Sequence, residues 1–335
     1  MKSLNVSIPL CTFNGERYIE KQLESIVQQS YLPFEVIIVD DNSSDHTISK
    51  IESFQHNLNI RIVRNSESLG VIKNFEKAIS LCTGDIIAPC DQDDYWHPNK
   101  LEEYVSFFNK NPDSVAVFSN ALIVDENLKE LGSTFWQEVR FFEPQIAQWK
   151  AGDATGILLA GNRVAGCMFA FRKELLTYGL PFPTHIPKMI HDGWLALLAT
   201  LVGKVGLIAE PLMSYRQHSQ QQVGTRPQQK GEKIQLSGRF NRPRIEKLAP
   251  FLEKRDYFCL LKKALSGKVD TGNADFLKIE KSESFYEMRG TLSENKFKRV
   301  IPALKALLSG NYHHYKDQSA NWAAPYKAFL GDILE

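Results

Sequence analysis

The chain has 335 residues and a mass of 38.1 kDa, which is enough for one large domain or two modest ones. A hydrophobic content of 43% with 24% charged residues excludes collagenous, coiled-coil and wholly disordered proteins. The 40 Lys and Arg residues against 39 Asp and Glu give a net charge of +1, so we expect no nucleic-acid partner.

Short β-rich runs alternate with helical patterns over the first half of the chain. Strands are predicted at residues 6–10, 34–39, 60–63 and 85–90, and helices at residues 17–28, 45–54, 73–81 and 98–108. This alternation predicts an α/β fold with a mostly parallel, doubly wound sheet that binds ligands at the carboxyl ends of its strands.

The pattern changes twice further along the chain. Residues 131–162 have no clean period and are predicted to form a long functional loop. A strand at 167–171, a helix at 190–201 and a strand at 205–215 follow. Beyond about residue 224 the pattern becomes helical, so we predict a catalytic domain at 1–224 and a basic helical extension at 225–335.

The compartment is predicted from features that the sequence lacks. Five cysteines without metal-ligand spacing favour neither disulfide bonds nor a zinc site. The first ten residues do not resemble a secretory signal, and the most apolar stretch, residues 194–202, is too short to span a bilayer. We therefore expect a cytoplasmic protein that can contact the inner face of the membrane.

Polar residues follow three of the predicted strands, at the edge where the topology places a binding crevice. They are Thr12, Asn14 and Gly15 after the first strand, Asp40 and Asp41 after the second, and Asp91, Gln92, Asp93 and Asp94 after the fourth. Three such strand ends in one sheet form a more specific pattern than any one motif.

The acidic turn at residues 91–94 indicates a divalent cation bound together with phosphate oxygens. A calcium loop of the EF-hand type is excluded because Tyr95 and Trp96 occupy its fifth position and its obligatory glycine position. A helix cap is the alternative, but capping needs one aspartate rather than three. A metal–nucleotide site is the better interpretation.

Residues 7–15, 39–45 and 91–94, in this order and spacing, resemble family 2 glycosyltransferases of the GT-A fold. The resemblance covers roughly residues 4–224. The motifs at 91–96 and 191–194 look most like the rhamnosyltransferase-like subgroup, and the chain's last segments fit that subgroup's C-terminus.

The resemblance implies roles for the residues at the strand ends. Thr12, Asn14, Asp40 and Asp41 would hold a uracil or thymine base and its ribose, and Gln92 would also contact the nucleotide-sugar. Which of the two adjacent aspartates faces the base stays open. Lys73 would lie near the pyrophosphate, or would be an exposed helix lysine.

The resemblance also implies metal and catalytic roles. Asp93 would coordinate Mn²⁺ or Mg²⁺, and Asp91 would contact the ribose or the metal. Asp192 would be the general base, with a helix N-cap as the alternative; the residue before it is His191, where relatives more commonly carry Glu. Arg216 would approach the pyrophosphate, and His218 would ligate the metal or lie on the surface.

Basic residues are concentrated after the predicted catalytic domain. Residues 226–268 contain 12 Lys and Arg residues and 4 Asp and Glu residues, a net charge of 12 − 4 = +8, which leaves +1 − 8 = −7 for the rest of the chain. These charges alternate with apolar residues, and Lys298, Arg299 and Lys305 repeat the pattern. Such helices can bind an anionic membrane, or can pack on the catalytic domain with their charges solvated.

We therefore expect a metal-dependent, inverting transferase that moves a single sugar from a UDP- or dTDP-sugar to a lipid-linked bacterial surface glycan. Single transfer is favoured because the Gln-x-x-Arg-Trp motif of processive polymerases is absent. The alternatives are a nucleotidyltransferase, a metal-dependent phosphohydrolase and a non-catalytic binding protein. A nucleotidyltransferase would need a Gly-rich, basic phosphate loop after the first strand, which this sequence lacks. A phosphohydrolase would need an aspartate nucleophile at the same place, which is also absent.

Overall fold

The structure is a computed structural model that describes residues 3–219, 221, 242–314 and 322–334. The chain divides into two compact units. The first comprises Met1–Leu158, Asn162–Thr184 and Lys188–Thr225, and the second comprises Leu159–Gly161, His185–Pro187 and Arg226–Glu335.

A nine-stranded mixed sheet forms the centre of the first unit. Its strands are β1 (Val6–Thr12), β2 (Glu35–Asp40), β3 (Ile60–Arg64), β4 (Ile86–Ile87), β5 (Tyr95–Trp96), β6 (Ser114–Val124), β7 (Glu130–Thr134), β8 (Phe169–Arg172) and β9 (Lys204–Arg216). The strand order is β3-β2-β1-β4-β8-β6-β9-β5, and β7 pairs with β6.

The pairing directions confirm the predicted α/β sheet. Strands β3, β2, β1 and β4 are parallel neighbours, and β6 is parallel to β9. Antiparallel β8 joins these two parallel groups. Because Thr12 of β1 lies opposite Asp40 of β2, the two polar strand ends meet at one edge of the sheet.

The helices of the first unit pack around this sheet. They are α1 (Ile19–Val27), α2 (Thr47–Glu52), α3 (Val71–Ser80), α4 (Lys100–Lys110), α5 (Phe135–Glu138), α6 (Glu143–Lys150), α7 (Ala154–Ala160), α8 (Leu176–Gly179) and α9 (His191–Val202). Strand β2 is buried along residues 36–40, which explains its nearly continuous apolar sequence.

Two parts of the sequence prediction were wrong. Residues 131–162 contain β7 and three short helices rather than a long loop. Their aromatic rings, Trp136, Phe141 and Trp149, pack against Phe118 at centroid distances between 5.1 and 5.9 Å. Helices of four to eight residues are too short to show a period, so this packing was not predictable. Strand β6 was also missed, although it has 11 residues.

The C-terminal part of the second unit is mainly helical over its described residues, as predicted for the extension. Its helices are α10 (Arg244–Leu265), α11 (Ala274–Gly290), α12 (Lys296–Leu308), α13 (Asn311–His314) and α14 (Ala324–Leu334). Arg289 of α11 forms a bidentate ion pair with Asp332 of α14, at 2.6 and 2.8 Å. Four of the predicted basic residues, Arg226, Lys230, Lys233 and Arg239, lie outside the described residues.

None of the helices within the described ranges combines the length and the apolar character that crossing a bilayer requires.

The burial of strand β1 predicts that two leucines differ in how much they contribute to stability. Leu10 of β1 is fully buried, whereas Leu32 is 67% exposed. Leu10→Ala should lower the free energy of unfolding by about 2–5 kcal/mol, because it leaves a cavity in the sheet core. The matched Leu32→Ala should change it by less than about 0.5 kcal/mol. Urea unfolding of both variants measures the difference, and equal losses would contradict this packing.

Candidate active site

A cavity of about 330 Å³ lies at the carboxyl ends of β1 and β2 in the first unit. This volume is in the range of small-ligand sites. The cavity brings together eight residues that the sequence predicted for the site: Thr12, Asn14, Asp41, Asp91, Gln92, Asp93, Asp192 and His218. Three others, Asp40, Lys73 and Arg216, do not line it within the described part of the chain.

The two adjacent aspartates after β2 have different surroundings. Asp40 is fully buried, and its carboxylate accepts hydrogen bonds from Thr12 Oγ1 (2.9 Å) and from the hydroxyl and backbone N–H of Ser43 (2.5 and 2.9 Å). It therefore fastens the loop after β2 to the end of β1. Of the two aspartates between which the sequence did not decide, Asp41 lines the cavity and the buried Asp40 does not.

Asp41 is held by four donors. Its oxygens accept hydrogen bonds from Asn65 Nδ2, Ser68 Oγ and the backbone N–H groups of Leu69 and Gly70, at 2.7–2.9 Å. Burial acts to raise the pKa of Asp41, but these hydrogen bonds outweigh it, and the pKa lies below its usual value. Asp41 is therefore a fixed anion at the edge of the cavity.

Lys73 and Arg216 lie away from the cavity lining. Lys73 forms an exposed ion pair with Glu76 at 2.7 Å. This agrees with the alternative prediction, that Lys73 is an exposed lysine on a helix. Arg216 is buried, with its Nε donating to the Asp93 carbonyl (2.5 Å) and its backbone N–H donating to Asp94 Oδ1 (3.1 Å). The guanidinium thus supports the acidic turn from behind.

The acidic turn concentrates negative charge. Asp93 Oδ2 lies 2.8 Å from His218 Nε2, and ligand atoms of Asp91, Asp94 and Cys167 all lie within 4.8 Å of one another. Burial and the charge of Asp93 raise the pKa of Asp91 to about 7, and burial raises that of Asp94.

The residues of this turn fit a divalent cation. One carboxylate oxygen, Asp94 Oδ2, is buried and has no hydrogen-bond partner among the described residues. Carboxylates crowded so closely that they favour protonation are stabilised as anions when a dication binds between them. The predicted ligands Asp93, Asp91 and His218 line one cavity. Asp94 belongs to the predicted acidic turn, whereas Cys167 was not predicted as part of the cluster.

A buried lysine lies beneath this turn. Lys100 is fully buried, donates to the Cys167 carbonyl at 2.5 Å and lies 4.1 Å from the centre of the Trp96 ring. Burial lowers its pKa to about 8, against the opposing effect of neighbouring groups that include Asp94 and Asp91. In its charged form it offsets part of the negative charge of the turn.

Asp192 lies on another wall of the same cavity. It is in the first turn of α9, whose N-cap is Ile190, so the alternative of a helix N-cap at Asp192 is wrong. It accepts a hydrogen bond from the backbone N–H of Gly193 and lies 3.5 Å from Asn162 Nδ2. Burial raises its pKa to about 6. A carboxylate with a raised pKa, facing a cavity, can accept a proton near neutral pH.

His191 contributes a flat apolar surface beside Asp192. Its ring stacks on Phe75 with a centroid distance of 4.0 Å and an interplanar angle of 18°. Burial lowers its pKa to about 3, so the imidazole is neutral near pH 7. Its Nδ1 is buried without a partner among the described residues.

The side chain of Gln92 connects the loop after β1 to the acidic turn. Its Oε1 accepts from the Phe13 N–H at 2.9 Å, and its Nε2 donates to the Phe13 carbonyl at 3.1 Å. A Cβ on Gly15 would lie only 2.2 Å from Gln92 Oε1, so this position requires glycine while the amide stays in place. The amide that was predicted to contact the nucleotide is thus bonded to backbone.

Some cavity residues were missed by sequence reasoning. Tyr18 lines the cavity with a buried hydroxyl that has no partner in the described structure, and the Arg216 guanidinium lies 4.7 Å from its ring centre. Phe75 was hidden in the apolar pattern of a helix. Tyrosine and phenylalanine occur both in hydrophobic cores and in binding sites, so only the packing shows that Tyr18 and Phe75 line the cavity.

Comparison with known proteins identifies the family. The model described as "Glycosyl transferase family 2" matches residues 7–177, just over half of the chain. The chain belongs to glycosyl transferase family 2.

Curated relatives of this family member carry related names. The dTDP-rhamnosyl transferase RfbG of Shigella flexneri is 30% identical over 230 residues, 64% of this chain and 73% of that protein. The UDP-Glc:alpha-D-GlcNAc-diphosphoundecaprenol beta-1,3-glucosyltransferase WfgD of Escherichia coli is 33% identical over 122 residues, 36% of this chain and 47% of that protein. An uncharacterized glycosyltransferase of Nostoc is 27% identical over 64% of this chain. The chain spans 65% of that relative's length, so it covers less than two thirds of it.

Solved structures support the GT-A fold predicted for this family member. Staphylococcus aureus TarS residues 1–349, in complex with UDP-GlcNAc, aligns with a TM-score of 0.56 at 16% identity, over 98% of this chain and 81% of that chain. The mannosyltransferase PcManGT of Pyrobaculum calidifontis, in complex with GDP-Man and Mn²⁺, aligns with a TM-score of 0.50 at 19% identity, over 100% of this chain and 81% of that chain.

The contact between Gly15 and Gln92 predicts energetic coupling. Gly15→Ala should displace the Gln92 amide from Phe13 and lower the free energy of unfolding by about 1–2 kcal/mol, the worth of the two hydrogen bonds. In a Gln92→Ala background the same change should cost much less, because the clash is gone. Urea unfolding of the single and double variants measures the coupling. In a control cycle, Gly15→Ala is combined with Gln55→Ala, a substitution at an exposed glutamine. If the changes in unfolding free energy were additive in both cycles, Gly15 and Gln92 would not be coupled.

The raised pKa of Asp192 predicts an acidic limit to activity. With Asp192 as the general base, and with saturating Mn²⁺ to keep Asp91 ionised, kcat/KM should fall about tenfold per pH unit below about pH 6 and level off above it. His191→Gln should keep this limb, because a histidine whose pKa is about 3 does not titrate there. A profile that is flat between pH 5 and 8 would show that Asp192 is not the titrating group.

Proposed function

We propose that the protein is a metal-dependent, inverting glycosyltransferase that moves one sugar from a UDP- or dTDP-sugar to a bacterial surface polysaccharide. The acceptor is a lipid-linked glycan of the O-antigen or capsule type. The proposal depends on one observation: the Asp93–His218 pair and Asp192 face the same cavity at the ends of the parallel strands. A metal-binding turn and a proton acceptor are the two parts that such a transfer needs.

The donor nucleotide would occupy the side of the cavity formed by the ends of β1 and β2. Asp41 is positioned by its four donors to accept a hydrogen bond from a base N–H or a ribose hydroxyl. Thr12 and Asn14 line the adjacent wall. Asn14 has a φ of 47° and donates its N–H to Ser43 Oγ at 2.9 Å, which fixes the loop for an incoming base.

Asp93, Asp91 and His218 would hold Mn²⁺ or Mg²⁺ beside the diphosphate. The bound ion would supply Lewis-acid stabilisation of the leaving nucleoside diphosphate. Asp93 Oδ2 and His218 Nε2 already lie 2.8 Å apart, so both would reach the same cation with little rearrangement once the hydrogen bond between them opens. Arg216 would act indirectly here, since it donates to the Asp93 carbonyl and orients the turn.

Asp192 would take the proton of the acceptor hydroxyl as that oxygen attacks the anomeric carbon. Its raised pKa makes it a stronger base than an exposed aspartate. Attack on the face opposite the leaving group inverts the configuration in a single displacement, and one carboxylate suffices for this mechanism. The ring surface of His191 and Phe75 next to it offers an apolar wall for a sugar.

The names of the relatives support a nucleotide-sugar donor and a lipid-linked acceptor. The Shigella flexneri relative is named as a dTDP-rhamnosyl transferase, and the Escherichia coli relative as acting on a diphosphoundecaprenol-linked sugar. An acceptor of that kind resides in a membrane, so we propose a cytoplasmic enzyme that associates peripherally with the inner face of the membrane.

Donor binding and transfer can be tested separately on the full chain. Thermal unfolding with a panel of UDP- and dTDP-sugars should show stabilisation that increases when Mn²⁺ is present. Asp93→Ala should remove the Mn²⁺-dependent part of that stabilisation and should abolish transfer. Asp192→Asn should keep the donor-induced stabilisation and should lower kcat by at least about a hundredfold, because the proton acceptor is lost.

The exposed Asp113→Asn is the matched control and should behave like the wild type in both assays. Stabilisation by no nucleotide would contradict the transferase proposal as a whole. Wild-type transfer by Asp192→Asn would contradict only the assignment of the base.

A further inference from the structure

Helix α12 of the second unit carries an apolar stripe on its solvent side. Phe297, Ile301 and Leu308 are 87%, 77% and 79% exposed, and Val300 and Leu304 are 38% and 42% exposed. At 100° per residue these five side chains fall within an arc of about 100° on the helix. Exposed apolar residues are common singly, but a continuous stripe of five indicates a binding surface.

The opposite side of α12 is anchored in the protein. Arg299, Ala303 and Ala306 are buried there. Arg299 donates through its Nε to the Ser293 carbonyl at 2.5 Å and through Nη2 to the Glu294 carbonyl at 3.0 Å. The helix is therefore fixed in rotation with its apolar stripe outward.

Lysines border the stripe on both edges. Lys298 and Lys305 follow one edge at about 80–100° from Phe297, and Lys296 lies at about 100° in the other direction. All three are exposed, and α12 contains no Asp or Glu. An apolar face with lysines along its margins is the arrangement in which the ammonium groups reach lipid phosphates while the apolar side chains enter the acyl boundary.

Helix α14 and the residues just before it carry a second row of exposed apolar side chains. It contacts α12, and Lys296 Nζ donates to the Leu334 carbonyl at 2.5 Å. Trp322, Tyr326, Leu330 and Leu334 are spaced four residues apart and are between 45% and 80% exposed. Lys327 is exposed beside them. The acidic residue of α14, Asp332, is paired with Arg289 and adds no unpaired negative charge.

We propose that α12 and α14 form a docking surface for an anionic lipid bilayer. Charge complementarity favours an anionic bilayer as the binding partner, because four exposed lysines accompany the apolar residues. Each cation near anionic lipid contributes about 1 kcal/mol to the free energy of membrane binding. Trp322 and Tyr326 are residue types that favour the headgroup region. The surface lies outside the basic segment at residues 226–268 and includes Lys298 and Lys305, which the sequence analysis named as repeating the basic pattern. The inference rests on the membrane association proposed above and not on the sugar chemistry.

Vesicle co-sedimentation of the full chain tests the surface. Wild-type protein should bind vesicles of phosphatidylcholine with phosphatidylglycerol and should bind pure phosphatidylcholine much more weakly. Phe297→Asp combined with Ile301→Asp should reduce the partition coefficient by at least about tenfold, since two carboxylates enter the apolar stripe. Replacing Lys296, Lys298 and Lys305 by Gln should remove most of the preference for the anionic vesicles.

Leu32→Asp combined with Leu131→Asp is the matched control, because both leucines are exposed in the first unit. This pair should bind vesicles like the wild type. Trp322 provides a second readout: its fluorescence should shift to shorter wavelength with anionic vesicles, and Trp322→Phe should lose that shift. Circular dichroism verifies that each variant is folded.

Three outcomes would overturn the proposal. Undiminished vesicle binding by the double aspartate variant would place the lipid contact elsewhere. A wild-type dimer that this variant converts to a monomer in sedimentation would identify the stripe as a contact between copies of the chain. Absence of the fluorescence shift would mean that Trp322 does not meet lipid. Nucleotide-induced stabilisation of the same variant, measured in parallel, separates a failure of this surface from a failure of the donor site.

Discussion

Repulsion between the carboxylates of residues 91–94 is the constraint on which much of the first unit depends. Three negative charges within four residues at a half-buried turn are unfavourable unless other groups compensate them. Lys100 supplies a buried cation beneath the turn, Arg216 donates to its backbone and side chain, and His218 meets Asp93. Arg216 and His218, at and just after the end of β9, lie more than a hundred residues from the turn along the chain, so the fold must bring them to it. Burial and the charge of Asp93 still raise the pKa of Asp91, and a bound dication would stabilise its ionised form.

Much of the sheet and the location of the site could be predicted from sequence, because both depend on local patterns. Alternating strands and helices locate the strand ends, and polar residues there mark the cavity. Residue roles that depend on packing could not be predicted. Asp40 and Asp41 are adjacent and chemically identical, and only the donors from Asn65 to Gly70 distinguish the one that faces the cavity. Strand β6 was overlooked, and the short helices within residues 135–160 are shaped by ring packing rather than by a period.

The second unit illustrates a different limit of sequence reasoning. A helix with apolar and basic residues can turn either face inward, and the sequence of α12 alone does not say which. The buried Ala303 and Ala306 answer the question, because small residues allow close packing and leave Phe297 and Ile301 on the outside. Burial, not composition, separates a core helix from a surface helix here.

The link between Gln92 and Phe13 has a consequence for sequence variation within the family. Because a side chain at position 15 would occupy the space of the Gln92 amide, substitutions at these two positions are not independent. In a homologue with alanine or serine at position 15, the residue at position 92 is either shorter or turned away, and the Phe13 backbone then loses the donor and acceptor of the Gln92 amide. Glycine at the first position should therefore accompany glutamine at the second, although 77 positions separate them in the chain.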